Sequence, residues 1–65
     1  MSTEIEIFNV ATDIANCVPT GKYNKIRLRD SVFKLVISTA ERAAKDPNLI
    51  DKMKQLHYET KGEDQ

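Results

Sequence analysis

The chain is poor in cysteine, glycine, proline and aromatic residues, and its charges cancel. There is one cysteine, Cys17, in 65 residues. A single thiol cannot close an intrachain disulfide, so the chain is not a cysteine-stapled secreted mini-domain. Tryptophan is absent and the aromatics are two Tyr and two Phe, so any core must be mainly aliphatic. Ten Lys and Arg offset ten Asp and Glu. That balance argues against a protein that coats nucleic acid, but it leaves room for a local basic patch. The most apolar run, residues 32–37, is interrupted by Lys34. A bilayer span needs about 20 apolar residues, so no transmembrane helix is expected. The first residues lack the basic start, apolar run and small-residue cleavage site of a secretory signal, and a cytoplasmic location is expected. A chain this short holds one small core, with no second core to form an interdomain cleft.

Hydrophobic spacing predicts three helices. Across the first, Thr3 to Cys17, Ile7, Phe8, Val10, Ala11, Ile14, Ala15 and Val18 share one half of the cylinder, while Asn9, Thr12, Asp13 and Asn16 share the other. Thr3 and Glu6 have capping-box spacing. Val18-Pro19-Thr20-Gly21 reads as a stop followed by a turn. The second helix is expected from Asp30 to Lys45. Val32, Phe33, Leu35, Val36, Ile37, Ala40, Ala43 and Ala44 spread over an arc of about 200°, wider than the roughly 100° stripe of an ordinary surface helix. So wide an arc needs two partners, which favours a homodimer. Glu41 and Lys45 have the spacing of a favourable i,i+4 pair. The third helix starts at the N-cap Asp46 with Pro47 in its first position, and runs to about Thr60. Its narrower stripe of Leu49, Ile50, Met53 and Leu56 predicts a surface position. The expected fold is therefore an all-α three-helix domain over residues 1–60 with a wide apolar face on the central helix, followed by a frayed tail over residues 61–65.

Few residues could carry chemistry. Cys17 and His57 are the only thiol and imidazole. One of each cannot furnish the usual zinc ligand set, and nothing in their spacing sets up a nucleophile and its base. Cys17 is expected to be small packing at the edge of the first apolar face, and His57 a packed or rim residue. A thiol-dependent redox role for Cys17 is the least favoured functional reading. The Gly21-Lys22 step lacks the earlier glycine and the following Ser or Thr of a phosphate-binding loop, since Asn16 and Tyr23 occupy those positions. Glu63 and Asp64 lie in the tail, where no pocket perturbs them. No catalytic residue, metal, cofactor or small-molecule substrate is expected, and the chain reads as a non-enzyme.

One asymmetry remains. Lys22, Lys25, Arg27 and Arg29 fall within residues 22–29 beside Tyr23, with no acidic residue among them, whereas the first 21 residues hold Glu4, Glu6 and Asp13 and no base. Such a segment can contact phosphates or an acidic protein surface. Within it, Lys25-Ile26-Arg27-Leu28-Arg29 alternates polar and apolar residues. Read as a strand, it would bury Ile26 and Leu28 and present Lys25, Arg27 and Arg29. A strand with that face followed by two helices resembles the ribbon-helix-helix repressors. The resemblance spans about residues 24–58 and implies that paired strands of a dimer enter the major groove. Under it, Lys25, Arg27 and Arg29 would contact DNA. Where that family has a glycine-containing turn between its helices, this chain has Ala44-Lys45-Asp46-Pro47. Read instead as a backward extension of the second helix, the segment places Arg29 within the apolar arc, where it needs a carboxylate such as Glu4 or Asp13.

The expectation is thus a small regulatory or interaction protein. It would bind a macromolecular partner, or itself as a homodimer, through a helical face and Lys22, Tyr23, Lys25, Arg27 and Arg29. A ribbon-helix-helix DNA-binding repressor is the alternative.

Overall fold

The computed structural model describes residues 2–43 and 46–62. They form three α-helices: α1 (Thr3–Asn16), α2 (Lys22–Ala43) and α3 (Pro47–Thr60). The expected all-α architecture is present, with no strand among the described residues. Ala44 and Lys45, counted above in the second helix, lie outside the described residues, as do tail residues 63–65.

The largest difference from expectation is the length of α2. It starts at Lys22, not Asp30, and absorbs the whole basic segment. The connection between the first two helices, residues 18–29 by the bounds expected from sequence, shrinks to residues 17–21. The alternating stretch 25–29 is helical, so the ribbon strand is not formed. A lone strand in one chain would leave its backbone donors and acceptors unpaired, whereas a helix pairs them internally. No glycine or proline interrupts residues 22–43, and the obstacle posed by Arg29 is removed locally. Arg29 does not reach for Glu4 or Asp13; its Nη2 pairs with Asp30 Oδ1 at 2.8 Å.

Helix ends follow their sequence signals unevenly. Asp46 caps α3, its carboxylate accepting from the Leu49 amide at 3.1 Å, and Pro47 follows at N1. The capping box at Thr3 and Glu6 is not formed: Ser2 is the N-cap of α1, and no side chain caps it. The turn before α2 is held by Asn24 Nδ2 donating to Thr20 Oγ1 at 3.0 Å. Gly62, just past the C-cap of α3, has φ 62°, a left-handed conformation that favours glycine.

The core is thin. Ala11, Phe33, Ile37 and Met53 form a buried cluster, flanked by half-buried side chains that include Ile7, Phe8, Val32, Val36, Leu49, Ile50 and Leu56. Phe8 packs edge-on to Phe33 at 5.3 Å between ring centroids. Of the residues assigned above to the apolar half of α1, Ala11 and Ala15 are buried, but Val10, Ile14 and Val18 are exposed. Leu35, on the wide arc of α2, is also exposed. In a three-helix monomer each helix contacts two neighbours over a limited arc, and the edge residues are left uncovered. The molecule measures 35 × 21 × 20 Å. Its long dimension matches α2, whose 22 residues span about 33 Å. The shorter α1 and α3 each cover only part of that length. No helix among the described residues is long and apolar enough to cross a membrane.

Candidate functional site: a basic cleft at the start of α2

The end of α3 is fastened to α2 by Arg29 and Asp30. Arg29 donates from Nε to Asp30 Oδ1 at 3.1 Å and from Nη2 to the Thr60 carbonyl at 2.8 Å. Asp30 Oδ2 accepts from the Gly62 amide at 2.9 Å. The Arg29 guanidinium also lies 4.8 Å from the centroid of the Phe8 ring. One side chain thus joins all three helices and satisfies a carbonyl that the α3 terminus would otherwise leave unpaired.

α3 ends at this clamp, and α1 and α2 continue beyond it. The space between them is a cleft of about 560 Å³. Lys22, Lys25 and Arg29 enter it from α2, at the i, i+3, i+7 spacing that puts them on one helical face. Thr12 and Asn16 line it from α1, and Ala15 and Ile26 supply its apolar wall. No carboxylate is among these lining residues. The N-terminus of α2 adds the partial positive charge of its unpaired amides. The cleft is an electropositive groove with an apolar floor, and it can take up a carboxylate or another anion together with a small apolar group.

The five residues singled out from sequence divide between two faces. Lys22, Lys25 and Arg29 come together in the cleft. Tyr23 and Arg27 point elsewhere, with the Arg27 guanidinium 5.8 Å from the Tyr23 ring centroid. Arg27 lines a separate shallow groove with Val18, Asn24 and Leu28. Thr12 and Asn16 were assigned from sequence to the polar outer half of α1. Their place in the cleft became visible only with the start of α2, because a loop over residues 18–29 would have formed no groove.

Cys17 is exposed at the C-cap of α1, so the expected edge packing is not made. His57 is half-buried beside Phe33, with 6.0 Å between ring centroids, and its Nδ1 is enclosed without a hydrogen-bond partner. Burial pushes the His57 pKa below its usual value, against the opposing pull of Asp30, while Lys61, Lys34 and Arg29 add to the lowering. Among the described residues, no three His, Cys, Asp or Glu side chains group to hold a metal ion. Comparison with protein-family models, curated proteins and solved structures finds no match to this chain.

Proposed function

We propose that the protein is a small non-enzymatic interaction module that binds an acidic segment of a protein partner in the cleft at the start of α2. The observation that carries this reading is the convergence of Lys22, Lys25 and Arg29 on one groove with no carboxylate in its lining. Lys22 and Lys25 beside an apolar floor, with Arg29 closing one end while paired to Asp30, suit a peptide that offers both acidic and small apolar side chains.

The scale of the site favours protein over duplex DNA. Lys22 to Arg29 covers about 10.5 Å of helix, whereas a duplex presents about one phosphate charge per 1.7 Å over a much longer track. The neighbouring α1 carries Glu4, Glu6 and Asp13 and no base, which opposes an extended phosphate backbone. The ribbon mode of DNA binding needs a strand at residues 25–29, and this segment is helical.

The test is an amide NMR titration of the ¹⁵N-labelled protein with a short Glu- and Ala-rich peptide at low salt, and separately with a duplex oligonucleotide. The expected result is peptide-induced shifts at Thr12, Asn16, Lys22, Lys25 and Ile26, weakening as salt rises and lost in the Lys22→Glu, Lys25→Glu double variant. Shifts of these residues with duplex alone would transfer the reading to nucleic acid. Shifts with neither probe would remove the cleft as a binding site.

A further inference from the structure

The cleft lies where α3 would continue if it were longer. Ile5 marks the α3 side of α1, because it lines a groove with Gln55 and Leu56 of α3. Thr12 and Asn16, which line the cleft, each lie about 20° around α1 from Ile5. Asp30 marks the α3 side of α2 through its bond to Gly62. The cleft residue Ile26 lies about 40° around α2 from Asp30. α1 and α2 therefore keep their α3-facing sides beyond the end of α3, and that uncovered track is the cleft.

The chain leaves α3 at the mouth of this track. The Thr60 carbonyl accepts from Arg29 Nη2, and the Gly62 amide donates to Asp30 Oδ2. Arg29 closes that end of the cleft. Next in sequence come Glu63 and Asp64. Two extended residues span about 7 Å. Lys25 stands about 7.5 Å along α2 from Asp30, and Lys22 about 12 Å, each on a flexible four-carbon stem. Two carboxylates are thus within reach of two lysines, and no carboxylate lines the cleft to oppose them.

We infer, building on the reading of the cleft as a site for an acidic segment, that Glu63 and Asp64 occupy it as a ligand carried by the chain itself. They offer the same chemistry as the partner segment, so partner and tail exclude each other. Ion pairs in a solvent-open groove are individually weak and are screened by salt. Attachment compensates, because a ligand on a short tether has an effective concentration of about a millimolar. The tail shields the lysines and can still be displaced. A partner must therefore offer more than a Glu-Asp pair, either further carboxylates or an apolar group for Ala15 and Ile26. A tail that fills the cleft about 70–90% of the time raises the partner's apparent Kd about three- to tenfold.

Amide NMR of the ¹⁵N-labelled full chain at low salt tests the inference. Glu63→Gln combined with Asp64→Asn removes both charges and keeps the side-chain shapes. Between parent and this variant the amides of Thr12, Asn16 and Ile26, all remote in sequence, are expected to move, and the difference to vanish at high salt. The Glu- and Ala-rich peptide is expected to bind the variant about three- to tenfold tighter than the parent. Glu6→Gln combined with Asp13→Asn makes the same change in net charge at exposed positions of α1. Its peptide affinity should stay within about twofold of the parent. Equal tightening by this control would reduce the effect to net charge and overturn the inference. Equal affinities of parent and tail variant would also overturn it, and would leave the cleft's proposed partner standing. Binding to neither chain removes the partner segment, and the cleft amides then decide the tail: shifts in the tail variant keep it in the cleft, and their absence overturns it.

Discussion

Replacing Arg29 with Met tests whether the fold depends on the clamp between α2 and α3. Met retains most of the aliphatic stem and removes the guanidinium. Four contacts change together: the two bonds to Asp30, the bond to the Thr60 carbonyl and the stacking on Phe8. The Arg29 and Asp30 side chains are 11% and 14% exposed, so solvent replaces little of what is lost. A hydrogen bond to a charged group contributes about 1.5–3 kcal/mol, and a partly desolvated cation–π contact about 1 kcal/mol. Asp30 keeps its bond to the Gly62 amide, which limits the penalty of leaving its carboxylate without a cation. The net loss should be about 2–4 kcal/mol, a large share of the roughly 3–10 kcal/mol expected for a chain this size. At about 4–8 °C per kcal/mol, Tm should fall by about 8–30 °C.

Urea denaturation at 25 °C followed by circular dichroism measures this loss directly. Arg29→Lys keeps the charge but loses the planar fork, and should fall between parent and Met. Arg29→Met combined with Asp30→Leu should recover part of the loss, because no unpaired carboxylate remains. Amide exchange should locate the damage in the last turn of α3, where Thr60 loses its donor. A loss below about 0.5 kcal/mol for Arg29→Met would refute the clamp, since an effect that small is typical of surface substitutions.

Other perturbations separate the remaining contributions. Asp46→Ala removes the cap of α3 and should cost about 1 kcal/mol by urea denaturation, with α3 fraying at its start. Gly62→Ala places a β-carbon on a left-handed residue and should destabilise by about 1 kcal/mol, read from the same curves. His57 has a folded-state pKa below its ordinary value of 6.5, so the unfolded chain takes up the proton first as pH falls. Its contribution to stability is constant above that value, declines as pH drops through it, and levels off below the folded-state pKa. His57→Leu should flatten that part of the stability–pH curve; an unchanged slope would refute the assignment.

Much of the fold was legible because its signals are local. The Asp46-Pro47 start and the Leu49, Ile50, Met53, Leu56 stripe give α3 its boundaries directly, and Val18-Pro19 ends α1 where expected. The start of α2 was not legible, because Arg29 conflicts with the apolar arc until its partners are known. Its carboxylate is the adjacent residue, and its other acceptor, the Thr60 carbonyl, is 31 residues away. A backbone carbonyl at the end of another helix leaves no trace in side-chain periodicity. The cleft was hidden for the same reason. Lys22, Lys25 and Arg29 share a face only if residues 22–29 are helical, and Thr12 and Asn16 become lining only when that helix lies alongside α1. The spacing of Val10, Ile14 and Leu35 marks them as apolar positions, but it does not say whether α3 reaches them.

The three helix starts show where local preference and surface charge part company. α1 begins with Glu4 and Glu6 in its first turn, and α3 begins under the carboxylate of Asp46. Both place negative charge against the positive end of the helix dipole, the arrangement that stabilises a helix start. α2 has no acid in its first turn or in residues 17–21 before it, and has Lys22 and Lys25 at its start instead. Those cations add to the dipole's positive end and weaken the start of the longest helix in the molecule. Neither lysine is in the buried cluster, so core packing does not account for their placement. Both line the cleft. Lys22→Glu with Lys25→Glu should therefore raise Tm by a few degrees while it destroys the cleft's positive field. Helix stability and anion binding make opposite demands at these two positions, and a variant that satisfies the first should lose the second.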